Sequence, residues 1–316
     1  MHPSRRDEAR AHGAAPATVT PSDAPEPTVE LLRGWPLPAD AAGDKHDRGT
    51  VLVIAGTTRT PGVAVLAGTA ALRAGAGRLQ IATVEPSAAS LAAVVPEALV
   101  QGLPATSDGA PEPSRSADLL AARIPEAAAL LIGPGLEDVD ATHELLALAL
   151  PHVAPETVVV LDAIALRAWM ALGPELTDPL RGRLAFTPNR QEALALVPAE
   201  WFDADDARIA SVAAGEHAAA VSVGGRIAAP DGRRWDGGAM VPGLGTSGSG
   251  DVLAGLVAGC AARSRDPAQA ACWGTYLHVE AARSLARRVG RTGYLARELL
   301  GEIPRLLDAA SPATTP

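Results

Sequence analysis

One stretch of the chain has the residue types and spacing for phosphoryl transfer. It runs Gly243-Leu244-Gly245-Thr246-Ser247-Gly248-Ser249-Gly250-Asp251 and passes directly into the apolar run 252–259 (VLAGLVAG). Backbone this rich in glycine can approach a ligand closely and present successive N–H groups to it. The start of the following helix adds the positive end of its dipole. The result is a cradle for phosphate, or for negative charge developing on one. Asp251, at the end of the cradle, is placed to take a proton from a hydroxyl. The competing reading is an ordinary turn with Asp251 as the helix N-cap. The long glycine approach, and the small-residue loops at strand ends elsewhere, favour a site.

The elements that position this loop alternate. Short apolar runs at 50–55 (TVLVIA), 78–83 (RLQIAT), 128–132 (AALLI), 157–161 (TVVVL) and 183–186 read as strands. Their unbroken hydrophobicity is that of strands buried on both faces. Helical patterns fall at 63–74, 88–95, 140–150, from 190, and from 251 to about 309, with a polar loop at 107–115. Segments 218–223 and 226–229 flank Gly224-Gly225 as a hairpin, and Asp231-Gly232 turns the chain towards 234–236. This alternation predicts an α/β fold, a three-layer α/β/α sandwich around a mainly parallel sheet. Ligands of such sheets bind at the carboxyl ends of the strands. Those ends carry 56–62, 133–135, Asp162 and 187–189, which converge on one place.

Composition narrows the partners. The chain has 316 residues, 47% of them hydrophobic but only 3% aromatic, so Ala, Val and Leu must build the core. A formal charge of −9 argues against nucleic-acid or anionic-membrane surfaces. No run is long and charge-free enough to span a bilayer. Cys260 and Cys272 read as buried thiols in a reducing compartment, and the expected location is cytoplasmic. Residues 1–30, rich in Pro, Ala and charge, read as a disordered tail. Residues 31–310 read as a single domain, and 311–316 as a loose end.

In these pieces the chain resembles the ADP/ATP-dependent NAD(P)H-hydrate dehydratases of the ribokinase-like superfamily. The resemblance rests on TVLVIAGTTRTPGVAVLAGTAALRAGAG, LLIGPGL, VVVLDAIAL, FTPNRQEAL, APDG and PGLGTSGSGDVLAGLVAG, in family order across roughly 45–307. It implies repair of NADH or NADPH hydrated on the nicotinamide ring: the ring hydroxyl is phosphorylated with ADP or ATP and Mg²⁺, and phosphate is then lost. The resemblance makes Asp251 the base, with Gly248, Ser249 and Gly250 offering amides to the phosphoryl group. It places Val63, Gly135, Asn189 and Asp251 against the hydrate, and Gly224, Gly225, Arg226, Ser247 and Gly250 against the nucleotide. No direct metal ligand is expected. Asp162 and Glu192 are candidates for a water-mediated Mg²⁺ or a polar network, against the plainer readings of helix cap and solvated helix face.

The chain departs from the family at three points. Asn189 stands where the family has His after Thr-Pro, Val63 where it has Ala, and Val221-Ser222-Val223-Gly224-Gly225-Arg226 where it has a Lys-Gly-x-x-Thr element. Arg226 is not a simple stand-in for a lysine point charge. His278 reads as a packing residue rather than a catalytic one, and Arg59 as a candidate to face an anionic ligand. Two other functions share these motifs: a ribokinase-like kinase of a vitamin-precursor or sugar alcohol, and a non-catalytic nucleotide-binding protein. The expected partners are the hydrated cofactor, the nucleotide, a separate NAD(P)H-hydrate epimerase chain and a second copy in a homo-oligomer.

Overall fold

The computed structural model describes residues 24–38, 45–238 and 240–312. Nine strands form one sheet: β1 (Thr50–Ile54), β2 (Arg78–Val84), β3 (Ala98–Leu103), β4 (Ala129–Ile132), β5 (Val158–Leu161), β6 (Leu184–Phe186), β7 (Ala219–Val223), β8 (Arg226–Ala228) and β9 (Arg234–Asp236). Their spatial order is β3-β2-β1-β4-β5-β6-β7-β8-β9. Neighbours from β3 through β7 pair in parallel, and β8 and β9 continue antiparallel.

Strand alternation divides the core into two. Val51 and Val53 of β1, Ala129 and Leu131 of β4, and Val158 and Val160 of β5 face one helical layer. That layer holds the helices Gly62–Arg73, Ser249–Ser264, Pro267–Arg288 and Ala296–Ala310. Leu52, Ile54, Leu130, Ile132, Val159 and Leu161 face the other. There lie Pro113–Ala121, Val139–Ala149, Ile164–Trp169 and Asp206–His217. The expected three-layer sandwich is present. With few aromatics to fill space, the first layer is packed by close approach: Gly255 lies on the backbone of Ala67, and Gly274 on that of Val257.

Four features differ from the sequence reading, one of them the helix Asp206–His217, which was not anticipated. β3 was not anticipated: it is the edge strand, only half-buried, and its Gln101 and Gly102 dilute the apolar signal. The helix Pro113–Ala121 begins inside the expected polar loop, with Pro at its first position, where a missing N–H costs nothing. Residues 24–30, assigned to the tail, pack on the domain instead. Thr28 caps the helix Val29–Gly34, and the Asp236 amide donates to the Pro25 carbonyl (3.1 Å). Residues 1–23 and 313–316, the rest of the expected loose ends, lie outside the described residues. Cys260 and Cys272 are buried free thiols, and burial pushes Cys260 up to about 12.

Candidate active site

The chain leaves β1 towards β2 and β3, then returns to β4 on the other side of β1. The strand order therefore reverses between β1 and β4, and the loops leaving these strands part to form a crevice. They are clasped at its base. The Gly56 amide donates to the Pro134 carbonyl (2.9 Å), and the Thr60 hydroxyl to the Gly135 carbonyl (2.8 Å). Gly135 has φ 67, and a Cβ there would collide with Val63 Cγ2 and Thr60 Oγ1. The structure thus brings Val63 and Gly135 into contact, with a valine methyl over the glycine. Arg59 pairs with Glu137 (3.7 Å) across the mouth of this clasp.

Three carboxylates lie further along the same edge. Asp162 follows β5 directly, is buried, and accepts a hydrogen bond from the Thr187 hydroxyl (2.9 Å) at the end of β6. It does not cap the helix that follows; Ala163 occupies that position, at a strained φ of 52. Asn189 and Glu192 form a capping box. The Asn189 side chain accepts from the Glu192 amide (3.0 Å), and the Glu192 carboxylate from the Asn189 amide (2.9 Å). Glu192 is therefore anchored rather than a freely solvated side chain. Burial pushes Asp251 up to about 6, and the charge of Glu192 adds to the effect. Burial also raises Asp162, reinforced by Glu192 and Asp251 and opposed by the Thr187 hydrogen bond. The charge of Glu192 thus acts on both Asp162 and Asp251.

The glycine cradle forms as a helix start without an ordinary side-chain cap. Gly248 is the N-cap residue at φ 88, where a Cβ would run into Leu66. Asp251 is in the first turn, not at the cap. The amides of Gly248, Gly250 and Asp251 have no acceptor among the described residues. A Cβ added at Gly250 would meet nothing within 4 Å, so this residue borders open space. Ser249 is a correction to the expected amide set. Its N–H is taken by the Thr246 carbonyl (3.2 Å), because the chain tightens there into the helix. Its hydroxyl is turned inward and lies 3.0 Å from His278 Nε2. His278 is a buried packing residue, as expected.

Gly224 and Gly225 make the β7–β8 turn, with φ 55 and 82, at the same edge of the sheet. Arg226 points along the hairpin, where it pairs with Asp236 and also reaches the Gly238 carbonyl (3.4 Å). A guanidinium held by a carboxylate is no substitute for an unpaired lysine. Ser247 is exposed just before the cradle. Arg190 pairs with Asp206, and the carboxylate of Asp206 lies against Gly224. With these arginines engaged, the unpaired donors at this edge include the backbone amides of Gly248, Gly250 and Asp251. Among the described residues no three of His, Cys, Asp and Glu stand close enough to hold a metal directly. Asp162 and Glu192 offer oxygen donors, the type a hard cation that keeps its water shell accepts.

Sequence reasoning did not single out Thr187 as the group orienting Asp162, or Thr60 as the clasp between the loops. Thr187 was within reach, since it lies in the marked 187–189 strand end. Thr60 was within reach in the same way, in the marked 56–62 strand end.

A carboxylate beyond free helix-start amides, at the carboxyl edge of a sheet layered in this way, goes with the ribokinase-like fold. The family model described as NAD(P)H-hydrate dehydratase matches residues 51–305. The chain is 42% identical over 292 residues to the ADP-dependent (S)-NAD(P)H-hydrate dehydratase of Xanthomonas campestris pv. campestris, covering 89% of this chain and 95% of that protein. It belongs to the NAD(P)H-hydrate dehydratase family. It is also 37% identical to the bifunctional NAD(P)H-hydrate repair enzyme of Moorella thermoacetica, over 85% of this chain but 51% of that one, so it spans about half the length of that relative. Among solved structures it resembles the ADP/ATP-dependent NAD(P)H-hydrate dehydratase of Bacillus subtilis co-crystallised with ATP and Mg²⁺, with a TM-score of 0.73, 27% identity, and coverage of 91% of this chain and 99% of that one. No described helix is long and apolar enough to cross a membrane.

Proposed function

We propose that this chain dehydrates hydrated NADH or NADPH, using ADP as phosphoryl donor as its Xanthomonas relative is named to do, with ATP as the alternative donor. The observation that carries the reading is Asp251: a half-buried carboxylate with no hydrogen-bond or ion-pair partner among the described residues, raised to about 6, one residue beyond the open Gly250. Hydroxide is a poor leaving group and phosphate a far better one, so a kinase-like site can carry out a dehydration. Asp251 accepts the proton of the ring hydroxyl as its oxygen attacks the terminal phosphorus. The bond from phosphorus to the nucleotide oxygen breaks, and the amides of Gly250 and Asp251 stabilise charge on the transferring group. The ring C–O bond then breaks, phosphate departs, and loss of a neighbouring ring proton restores the dihydronicotinamide. Gly135, Val63 and Asn189 border the hydrate, and the Gly224-Gly225 turn borders the nucleotide. Asp162 and Glu192 would hold Mg²⁺ through its waters, and the ion would supply neutralising charge to the phosphates. Because the Moorella relative is bifunctional, an epimerase acting on the hydrate is the expected pathway partner.

The test is turnover of purified protein with hydrated NADH, Mg²⁺ and either nucleotide, following the return of NADH absorbance. Nucleotide-dependent recovery supports the reading. A stable phosphorylated alcohol, or nucleotide binding with no recovery, removes it.

A further inference from the structure

The body and the first turn of the Ser249–Ser264 helix are held in different ways. The body is fixed by close apolar packing, Gly255 on Ala67 and Gly274 against Val257. The start of the helix packs at Gly248, against Leu66 and Ala296, and otherwise has few side-chain contacts that could set its orientation. Its N-cap is Gly248, which has no side chain to bond the helix-start amides. Among the described residues, one side-chain hydrogen bond reaches any residue of 243–251, and it is the contact of Ser249 Oγ with His278 Nε2 at 3.0 Å. Both residues are 4% exposed. Their helices also carry buried apolar groups such as Val252, Trp273 and Leu277. A polar pair enclosed in this way must satisfy itself, so its geometry is tightly determined. Burial lowers His278 to about 4, so the ring stays neutral near neutrality and exchanges no proton with the site.

We propose that His278 is a positioning residue. By holding the Ser249 hydroxyl from beneath, it fixes the first helical turn so that the amides of Gly250 and Asp251, and the Asp251 carboxylate, face the crevice. Misplacing a catalytic group by about 1 Å can cost about 100-fold in rate. The turnover arm of the test rests on the dehydratase reading; the nucleotide-affinity arm does not.

The experiment compares full-length wild type with Ser249→Ala, His278→Ala, His278→Gln and the Ser249→Ala/His278→Ala double variant. Ser249→Ala removes one oxygen with little change in volume, so it keeps the test open if a His278 variant fails to fold. Each single alanine variant is expected to lower kcat by about tenfold or more and to weaken ADP binding measured by calorimetry. KM for the hydrate should stay within about twofold, because its pocket lies at the β1–β4 crevice. The double variant should lose no more than the worse single one, since both break the same contact. His278→Gln, which retains a hydrogen-bonding group, should recover most of the loss. A merely structural role would lower Tm alone, and folded Ser249→Ala with wild-type kcat and ADP affinity overturns the proposal. Multiplicative losses in the double variant overturn it as well. If wild type binds ADP but does not turn over hydrated NADH, the dehydratase reading fails, while the affinity comparison still decides the role of His278.

Discussion

Replacing Asp251 by Asn separates two consequences of burying a carboxylate beside the cradle. In the folded chain this group loses its proton near pH 6, against an ordinary value of 3.8. Ionising it in place therefore costs about 3 kcal/mol more than in the unfolded chain. The sign follows from proton binding. Between about pH 4 and pH 6 the native carboxyl keeps a proton that the unfolded one has released, so stability falls as pH rises through that window and stays reduced above it. The amide of the Asp251→Asn variant carries no charge and escapes the loss. In urea unfolding at about pH 8 the variant should be more stable by about 2–3 kcal/mol, and the two curves should converge towards about pH 4. For a domain of this size that corresponds to several degrees in Tm. Catalysis should move the other way, because a neutral amide cannot accept the hydroxyl proton. General-base catalysis is worth about 10²–10⁴ in rate, so kcat should fall by at least about 100-fold with nucleotide affinity nearly unchanged. Equal stability of the two proteins at about pH 8 would refute the buried-carboxylate argument, and near-normal kcat would refute the assignment of Asp251 as base.

Gly250→Ala should fold and gain up to about 1 kcal/mol of helix stability, since its Cβ would meet nothing in the protein. The same methyl would project into the space for phosphate, so calorimetry should show weakened ADP binding; unchanged affinity would place the phosphates elsewhere. The pH profile of kcat/KM should rise through a limb near pH 6 as Asp251 becomes the free base. Glu192→Gln preserves the capping box but removes the neighbouring charge, so that limb should move to lower pH; an unmoved limb would mean that Glu192 does not face Asp251. Val63→Ala should lower KM for the hydrate and leave KM for ADP unchanged, because the valine methyl covers Gly135 and not the cradle.

The parallel sheet was legible because β1, β4 and β5 are buried on both faces and their residues read as unbroken apolar runs. The cradle was legible because glycine at Gly248 is demanded by a positive φ that other residues avoid. The edge strand β3 and the helix Asp206–His217 were not, and for related reasons. Half-burial blurs the pattern of β3, and the alanine-rich helix shows little contrast between its faces. In the site, residue types pointed to Asp162, Glu192 and Asp251 but could not assign their partners. Whether Ser249 offers its hydroxyl to a ligand or to the core depends on which way the first turn faces, and this is set by His278, 29 residues away. The engagement of Arg226, expected against the nucleotide, was likewise hidden, because its partner Asp236 is reached only through the β8–β9 pairing.

The site's charge follows from its chemistry. A phosphate-binding crevice in a chain of formal charge −9 would ordinarily need lysines or arginines, yet Arg59, Arg190 and Arg226 are each engaged by a carboxylate. A strong fixed cation beside Asp251 would hold its proton affinity down and make it a weaker base. Leaving Asp251 beside Glu192, with only dipolar amides nearby, does the opposite and keeps it near 6. Amides attract phosphate without the full charge of a lysine, so anion binding and a basic Asp251 can coexist within one helical turn. If Asp251 is the base, as proposed, the repulsion from Glu192 that the folded chain bears is what supplies part of that basicity. In the proposed function, Asp162 and Glu192 would hold a hydrated divalent cation, whose charge would offset that repulsion.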